Sequence, residues 1–144
     1  MSSTTRPDLA AKFPLVLTSA KSPQYLGSQG RAIPALRRIE PEPKVDIHPD
    51  TAAARGIKNG DWVALLTPQG RIRVKARFSP KLDPRVVVAM HGWWQANSEM
   101  SRPGYDIASE DGANLNGLIN NDVVEPVGGA AALRSSACQI EALG

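Results

Sequence analysis

Four residues in a row, His91-Gly92-Trp93-Trp94, combine one imidazole with two indoles. They follow the apolar run Arg85-Val86-Val87-Val88-Ala89-Met90, which has the composition of a buried strand. Rings of this kind offer apolar area together with a hydrogen-bonding edge. Set where a rigid strand releases its chain into a long loop, they suit the wall of a ligand site for a flat, polar-edged molecule. A second reading of the same residues stays open, in which the indoles cap the core and His91 satisfies a backbone carbonyl.

A second donor-rich stretch lies in Thr18-Ser19-Ala20-Lys21 and the loop beyond it, to Arg31. It carries hydroxyls, Lys21, Gln24, Ser28, Gln29, Arg31 and glycines that open the backbone, and so is rich in small residues and hydrogen-bond donors. One reading of it is a solvated surface loop. Asn116, in Asn114-Leu115-Asn116-Gly117-Leu118-Ile119, has an amide able to bond its own turn. Arg134 and Gln139 stand near a closing strand, where a lone arginine is most often a surface residue.

These groups need a scaffold, and the pattern of the chain supplies one. Short strands are expected at Leu15–Thr18, Val45–His48, Trp62–Leu66, Arg71–Phe78, Val86–Met90 and Ala137–Leu143. A helical turn is expected over 32–38. Pro49 opens another, ending near Gly56. The residues Arg71, Arg73, Lys75 and Arg77 alternate with Ile72, Val74, Ala76 and Phe78. That period of two describes either an anion-binding stripe or an ordinary solvated outer face. Cys138 alternates with Ile140 and reads as a small core residue. Residues 1–12 read as a flexible lead-in to a single domain over 13–144. Many short strands with little helix point to a closed β-barrel.

Composition narrows the classes. The chain has 144 residues and a formal net charge of +3, from 17 basic and 14 acidic side chains. That is too mild for a nucleic-acid footprint. One cysteine excludes an internal disulfide, and no Cys/His cluster has metal-ligand spacing. No apolar run approaches the ~20 residues of a membrane helix, and the start lacks a secretory hydrophobic core. The expectation is a cytoplasmic domain with neither nucleic-acid nor membrane partners.

Taken in order, these segments resemble a known family. The strand with Thr18-Ser19-Ala20-Lys21 comes first, then Val45-Asp46-Ile47-His48-Pro49-Asp50-Thr51-Ala52. Gly56-Ile57-Lys58-Asn59-Gly60-Asp61-Trp62-Val63 and Gly70-Arg71-Ile72 follow, then His91-Gly92-Trp93-Trp94, Asn114 to Ile119 and Cys138-Gln139-Ile140. The pattern is similar to the C-terminal domain of molybdopterin oxidoreductases of the dimethyl sulfoxide reductase family. The element from Ala52 to Val63 is its sharpest part. The resemblance implies a mainly β fold, a six-stranded double-psi β-barrel (aspartate decarboxylase-like) with short helices.

It also implies a molybdopterin guanine dinucleotide cofactor, with molybdenum or tungsten held by other domains. The implied cofactor-binding residues are Thr18, Ser19, Ala20, Lys21, Gln24, Ser28, His91, Gly92, Trp93, Trp94, Asn116 and Gln139, with no catalytic residue and no metal ligand among them. Many relatives have Gly-Arg where this chain has Ala20-Lys21; lysine keeps the charge without the bidentate fork. The implied partners are the remaining domains or subunits of a molybdopterin oxidoreductase, so the isolated domain is expected to be inactive. Two other readings of such a barrel stay open. One is a recognition module for a protein or polyanionic partner, using the β-strand basic stripe. The other is an aspartate decarboxylase-like enzyme cleaving itself at Gly27-Ser28.

Overall fold

The computed structural model describes residues 6–122, 124, 126–130 and 134–143. Six strands carry it: β1 (Leu15–Ala20), β2 (Lys44–Ile47), β3 (Trp62–Thr67), β4 (Gly70–Phe78), β5 (Val86–Met90) and β6 (Ser136–Ala142). They close into a barrel in the order β1-β5-β2-β4-β3-β6. The pairs β1/β5 and β2/β4 are parallel and the other four are antiparallel. The mainly β, closed six-stranded architecture expected from the sequence is the one observed. Three short helices, α1 (Pro7–Ala10), α2 (Pro34–Ile39) and α3 (Pro49–Ala53), each begin at a proline. Proline suits that position because its fixed φ is helical and its missing N–H has no partner there anyway. The segment expected as a flexible lead-in thus contains one helical turn at Pro7–Ala10.

Alternation builds the core. Leu15, Leu17, Val45, Ile47, Val63, Leu65, Ile72, Val74, Val87, Ala89, Cys138 and Ile140 point inward and are buried together. Each large aliphatic side chain removed from water in this way contributes ~1.5–3 kcal/mol. The outward set of β4 is held by ion pairs and ring contacts: Lys75 reaches Glu42 at 2.6 Å, and Arg77 is bidentate to Asp46, with Nη2 donating to Oδ2 at 2.9 Å. Arg71 faces Asp111 at 3.6 Å, and Arg73 lies 4.7 Å over the Trp62 ring. Three of these four cations are engaged by carboxylates and the fourth by a ring, the arrangement of an outer face and not of a stripe left open for an anion.

Cys138 is fully enclosed, and burial pushes its thiol up to about 12. The thiolate is the reactive form. Iodoacetamide at pH 8 is therefore expected to leave Cys138 unmodified in the native chain and to label it fully in denaturant. Labelling at equal rates in both, read by intact mass, would contradict this packing.

Strand register decides which loops meet. Ala20 and Met90 are partners at the ends of the parallel pair β1/β5, so Lys21 and His91 leave the barrel side by side. Strand β6 runs antiparallel to β1 with Ser136 opposite Leu17, so Arg134 approaches the same rim. A 3₁₀ turn at Leu115–Leu118 is anchored there too, because Thr67 Oγ1 donates to the Leu118 carbonyl at 2.9 Å. No helix among the described residues is long and apolar enough to cross a membrane.

Candidate functional site

The rim encloses a cleft of about 440 Å3, lined by Ser19, Ala20, Lys21, His91, Leu115, Asn116, Ile119 and Arg134. That volume falls in the ~300–1,000 Å3 range of small-molecule pockets. The lining sorts into two kinds. Leu115 and Ile119 give an apolar floor, and both are buried. Lys21, Arg134, the His91 imidazole, the Ser19 hydroxyl and the Asn116 amide give polar groups above it. No acidic side chain among the described residues lines the cleft. Net positive charge with no acidic neighbour among the described lining residues, beside an apolar surface, is suited to an anion attached to a flat ring.

Five of the twelve residues singled out from the sequence meet here: Ser19, Ala20, Lys21, His91 and Asn116. Three lining residues fell outside that set. Arg134 lies in a turn next to β6, where a lone arginine gives no sequence signal separating cleft from surface. Leu115 and Ile119 belong to the same segment as Asn116, but their aliphatic side chains carry no polar group to single them out.

The other seven lie elsewhere, each for a physical reason. Strand β1 continues past Thr18 to Ala20, so Thr18 is a paired strand residue opposite Val88. Its side chain has the opposite parity to inward-pointing Leu17. Gln24 lines a separate hollow with Leu26, Gln29 and Ile33. Gln139 sits mid-strand, outward between buried Cys138 and Ile140, and accepts a hydrogen bond from Arg55 Nε at 3.0 Å. Trp94 is half-buried and outside the lining; its carbonyl accepts from the Tyr105 amide at 3.1 Å.

Trp93 is the main correction. It is 0 % exposed and faces the core, not the cleft. Its indole meets Tyr25 edge-on at 5.7 Å and Tyr105 at 6.5 Å. The guanidiniums of Arg31 and Arg37 lie 4.6 and 5.2 Å from its ring. Both arginines are themselves buried. Their donors go to backbone carbonyls: Arg31 to Gly27 and His91 at 2.7 and 2.8 Å, Arg37 to Pro41 and Gln95 at 2.7 and 2.9 Å. Carbonyls and π faces together replace most of the water that the two cations gave up, while the buried Arg31 Nε has no hydrogen-bond partner among the described residues. Burial pulls the Arg31 guanidinium down to about 10, with Tyr25 opposing the shift and Arg37 adding to it. It stays cationic at neutral pH.

Gly92 and Ser28 belong to this packing as well. Gly92 has φ +85°, and a Cβ there would stand 2.8 Å from both the Gly27 oxygen and the Ser28 Cα. Only a residue without a side chain fits where these two backbones touch.

Comparison with known proteins agrees with the geometry. Residues 15–137 match the family model described as "Molydopterin dinucleotide binding domain". A dopamine dehydroxylase of Eggerthella lenta is 32% identical over 129 residues, covering 89% of this chain and 12% of that protein. A putative catalytic chain of dimethyl sulfoxide reductase from Halobacterium salinarum is 35% identical over 85 residues, covering 59% of this chain and 10% of that protein. Among solved structures, acetylene hydratase from Pelobacter acetylenicus superposes with a TM-score of 0.84 at 22% identity, over 99% of this chain and 20% of that one. At that identity the superposition speaks to the fold alone. The chain spans about an eighth or less of the length of these two curated relatives (12% and 10%).

Proposed function

The chain belongs to the molybdopterin dinucleotide-binding domain family of molybdenum and tungsten oxidoreductases, and on that premise we propose that its cationic cleft grips a molybdopterin guanine dinucleotide. The single observation carrying this reading is the meeting of Lys21, His91, Asn116 and Arg134 over an apolar floor, with no carboxylate among the described residues that line it. Lys21 and Arg134 would hold phosphate oxygens by charge-assisted hydrogen bonds. Asn116 would read a ring edge with its amide, and Leu115 and Ile119 would support a ring face. His91 would donate to or accept from the same ligand, according to which ring nitrogen faces it. When bound, the cofactor supplies redox chemistry at a molybdenum or tungsten centre held by other domains; this domain closes over it and contributes no ligand. The partners in this reading are the remaining domains or subunits of a longer oxidoreductase, in the cytoplasm.

Calorimetric titration with GDP, inorganic pyrophosphate and guanosine tests the proposal. GDP is expected to bind at least about 10-fold more tightly than guanosine, the ~1.4 kcal/mol that one charge-assisted contact supplies. Absence of heat with both GDP and pyrophosphate up to about 10 mM, an interaction weaker than ~3 kcal/mol, would refute it.

A further inference from the structure

We propose that Arg31 is the positioning residue of the cleft: by holding the carbonyls of Gly27 and His91 at once, it fixes the direction in which His91 presents its imidazole. The inference extends the reading of the cleft given above, but its geometry stands without any ligand. Arg31 Nη1 donates to the Gly27 oxygen at 2.7 Å and Nη2 to the His91 oxygen at 2.8 Å. One rigid fork therefore spans the loop after β1 and the end of β5. Beneath the fork, Gly92 meets Gly27 and Ser28 so closely that no side chain fits between them. Above it, Tyr25 and Trp93 flank the guanidinium at 4.4 and 4.6 Å from the ring centroids. The arginine has little freedom, and it passes that restriction to the residue whose carbonyl it holds. His91 lies between this bracket and the cleft, with its backbone on one and its side chain lining the other.

A buried arginine held only by carbonyls is a costly way to tie two loops together, since the unpaired charge must leave water. An apolar residue of similar size would fill the space. It would leave two part-buried carbonyls without this donor and the His91–Gly92 peptide free to rotate. A lysine would keep the charge, but a single ammonium on a flexible stem does not reproduce the fork.

The chain has two histidines, which makes the test direct. His91 follows the end of β5, whereas His48 caps α3 at the opposite end of the barrel, its Nδ1 accepting from the Asp50 amide. Imidazole 1H–15N correlations of the ligand-free Arg31→Lys and Arg31→Gln chains are compared with wild type, alongside amide exchange at Gly92–Trp94. The expected result is a shifted or broadened His91 signal, at least about 10-fold faster exchange of the 92–94 amides, the fold-change of losing ~1.4 kcal/mol of local stability, and an unmoved His48. An Arg31→Lys chain that folds, melts lower and leaves the His91 signal where it was would show a merely structural role and overturn the proposal. Should Arg31→Gln fail to fold, Gly92→Ala opens the same bracket from the other side and must displace His91 likewise; an unmoved His91 there overturns it too. GDP titration of the same chains separates the two ideas. Wild type failing to bind GDP while His91 still responds to Arg31 sinks the cofactor reading and leaves the bracket standing.

Discussion

Reversing both cleft cations together, Lys21→Glu with Arg134→Glu, is expected to weaken GDP binding by about 100-fold or more at low salt. The two side chains line the same cleft, and no acid among the described residues lines it with them. Each charge-assisted hydrogen bond to a phosphate is worth ~1.5–3 kcal/mol where it is well formed, and both residues are exposed, so the lower end of that range applies. Two such losses, at ~1.4 kcal/mol per tenfold, give the expected factor, and the introduced carboxylates add repulsion. The effect should shrink between roughly 0.05 and 0.5 M salt, because exposed charges are screened within a Debye length of ~10 Å or less. The comparison chain is Lys58→Glu with Lys81→Glu. Both of those lysines are exposed, in the loops that lead into β3 and β5 at the opposite end of the barrel. It carries the same change in net charge far from the cleft. Calorimetry of the two double variants gives the answer: equal affinities would mean that the net charge of the chain, and not the cleft, attracts the nucleotide.

Much of this scaffold is legible from residue order alone, and the reason is local. The alternation in β4 needs no distant partner to be recognised, because the period of side-chain direction is a property of the strand itself. The same holds for β5, whose continuous apolar run marks a strand, with Val87, Ala89 and Met90 buried and Val86 and Val88 partly exposed on the other face. Meeting at the rim is less legible but still follows from the resemblance, since Lys21 and His91 come together only when β1 and β5 pair in parallel. What a strand period does not reveal is the direction of a side chain just past the strand's end. Trp93 and His91 are two residues apart, and composition alone makes either a good wall for a ligand. The outcome turns on Tyr25, Arg31, Arg37 and Tyr105, which arrive from other parts of the chain to enclose Trp93. Buried arginines oppose every expectation from burial statistics, so the chain order offers no warning of them. Gln139 failed to reach the cleft for a similar reason: its partner, Arg55, comes from beyond α3.

Trp93→Ala is expected to be the most destabilising of these substitutions, by ~3–5 kcal/mol, the usual cost of truncating a large buried aromatic residue. Two further losses favour the upper part of that range. The edge-on contacts with Tyr25 and Tyr105 disappear, each worth ~0.5–1.5 kcal/mol beyond area, and the guanidiniums of Arg31 and Arg37 lose the π face they share. For a chain of this length the fall in Tm is roughly 10–20 °C, at a few degrees per kcal/mol. Trp93→Phe separates packing from polarity. The indole Nε1 has no hydrogen-bond partner among the described residues, so phenylalanine forfeits no bond and retains most of the ring face. Its cost is expected to stay under about 2 kcal/mol, within the range of partial core truncations. Trp94→Ala, at a half-buried ring, should cost under about 2 kcal/mol as well, because less apolar area leaves contact. Thermal melts of the three variants, read by far-ultraviolet dichroism, decide it. If Trp94→Ala fell as far as Trp93→Ala, the second indole and not the first would be the one anchoring the loops, and the placement of Trp93 between the two arginines would have to be abandoned.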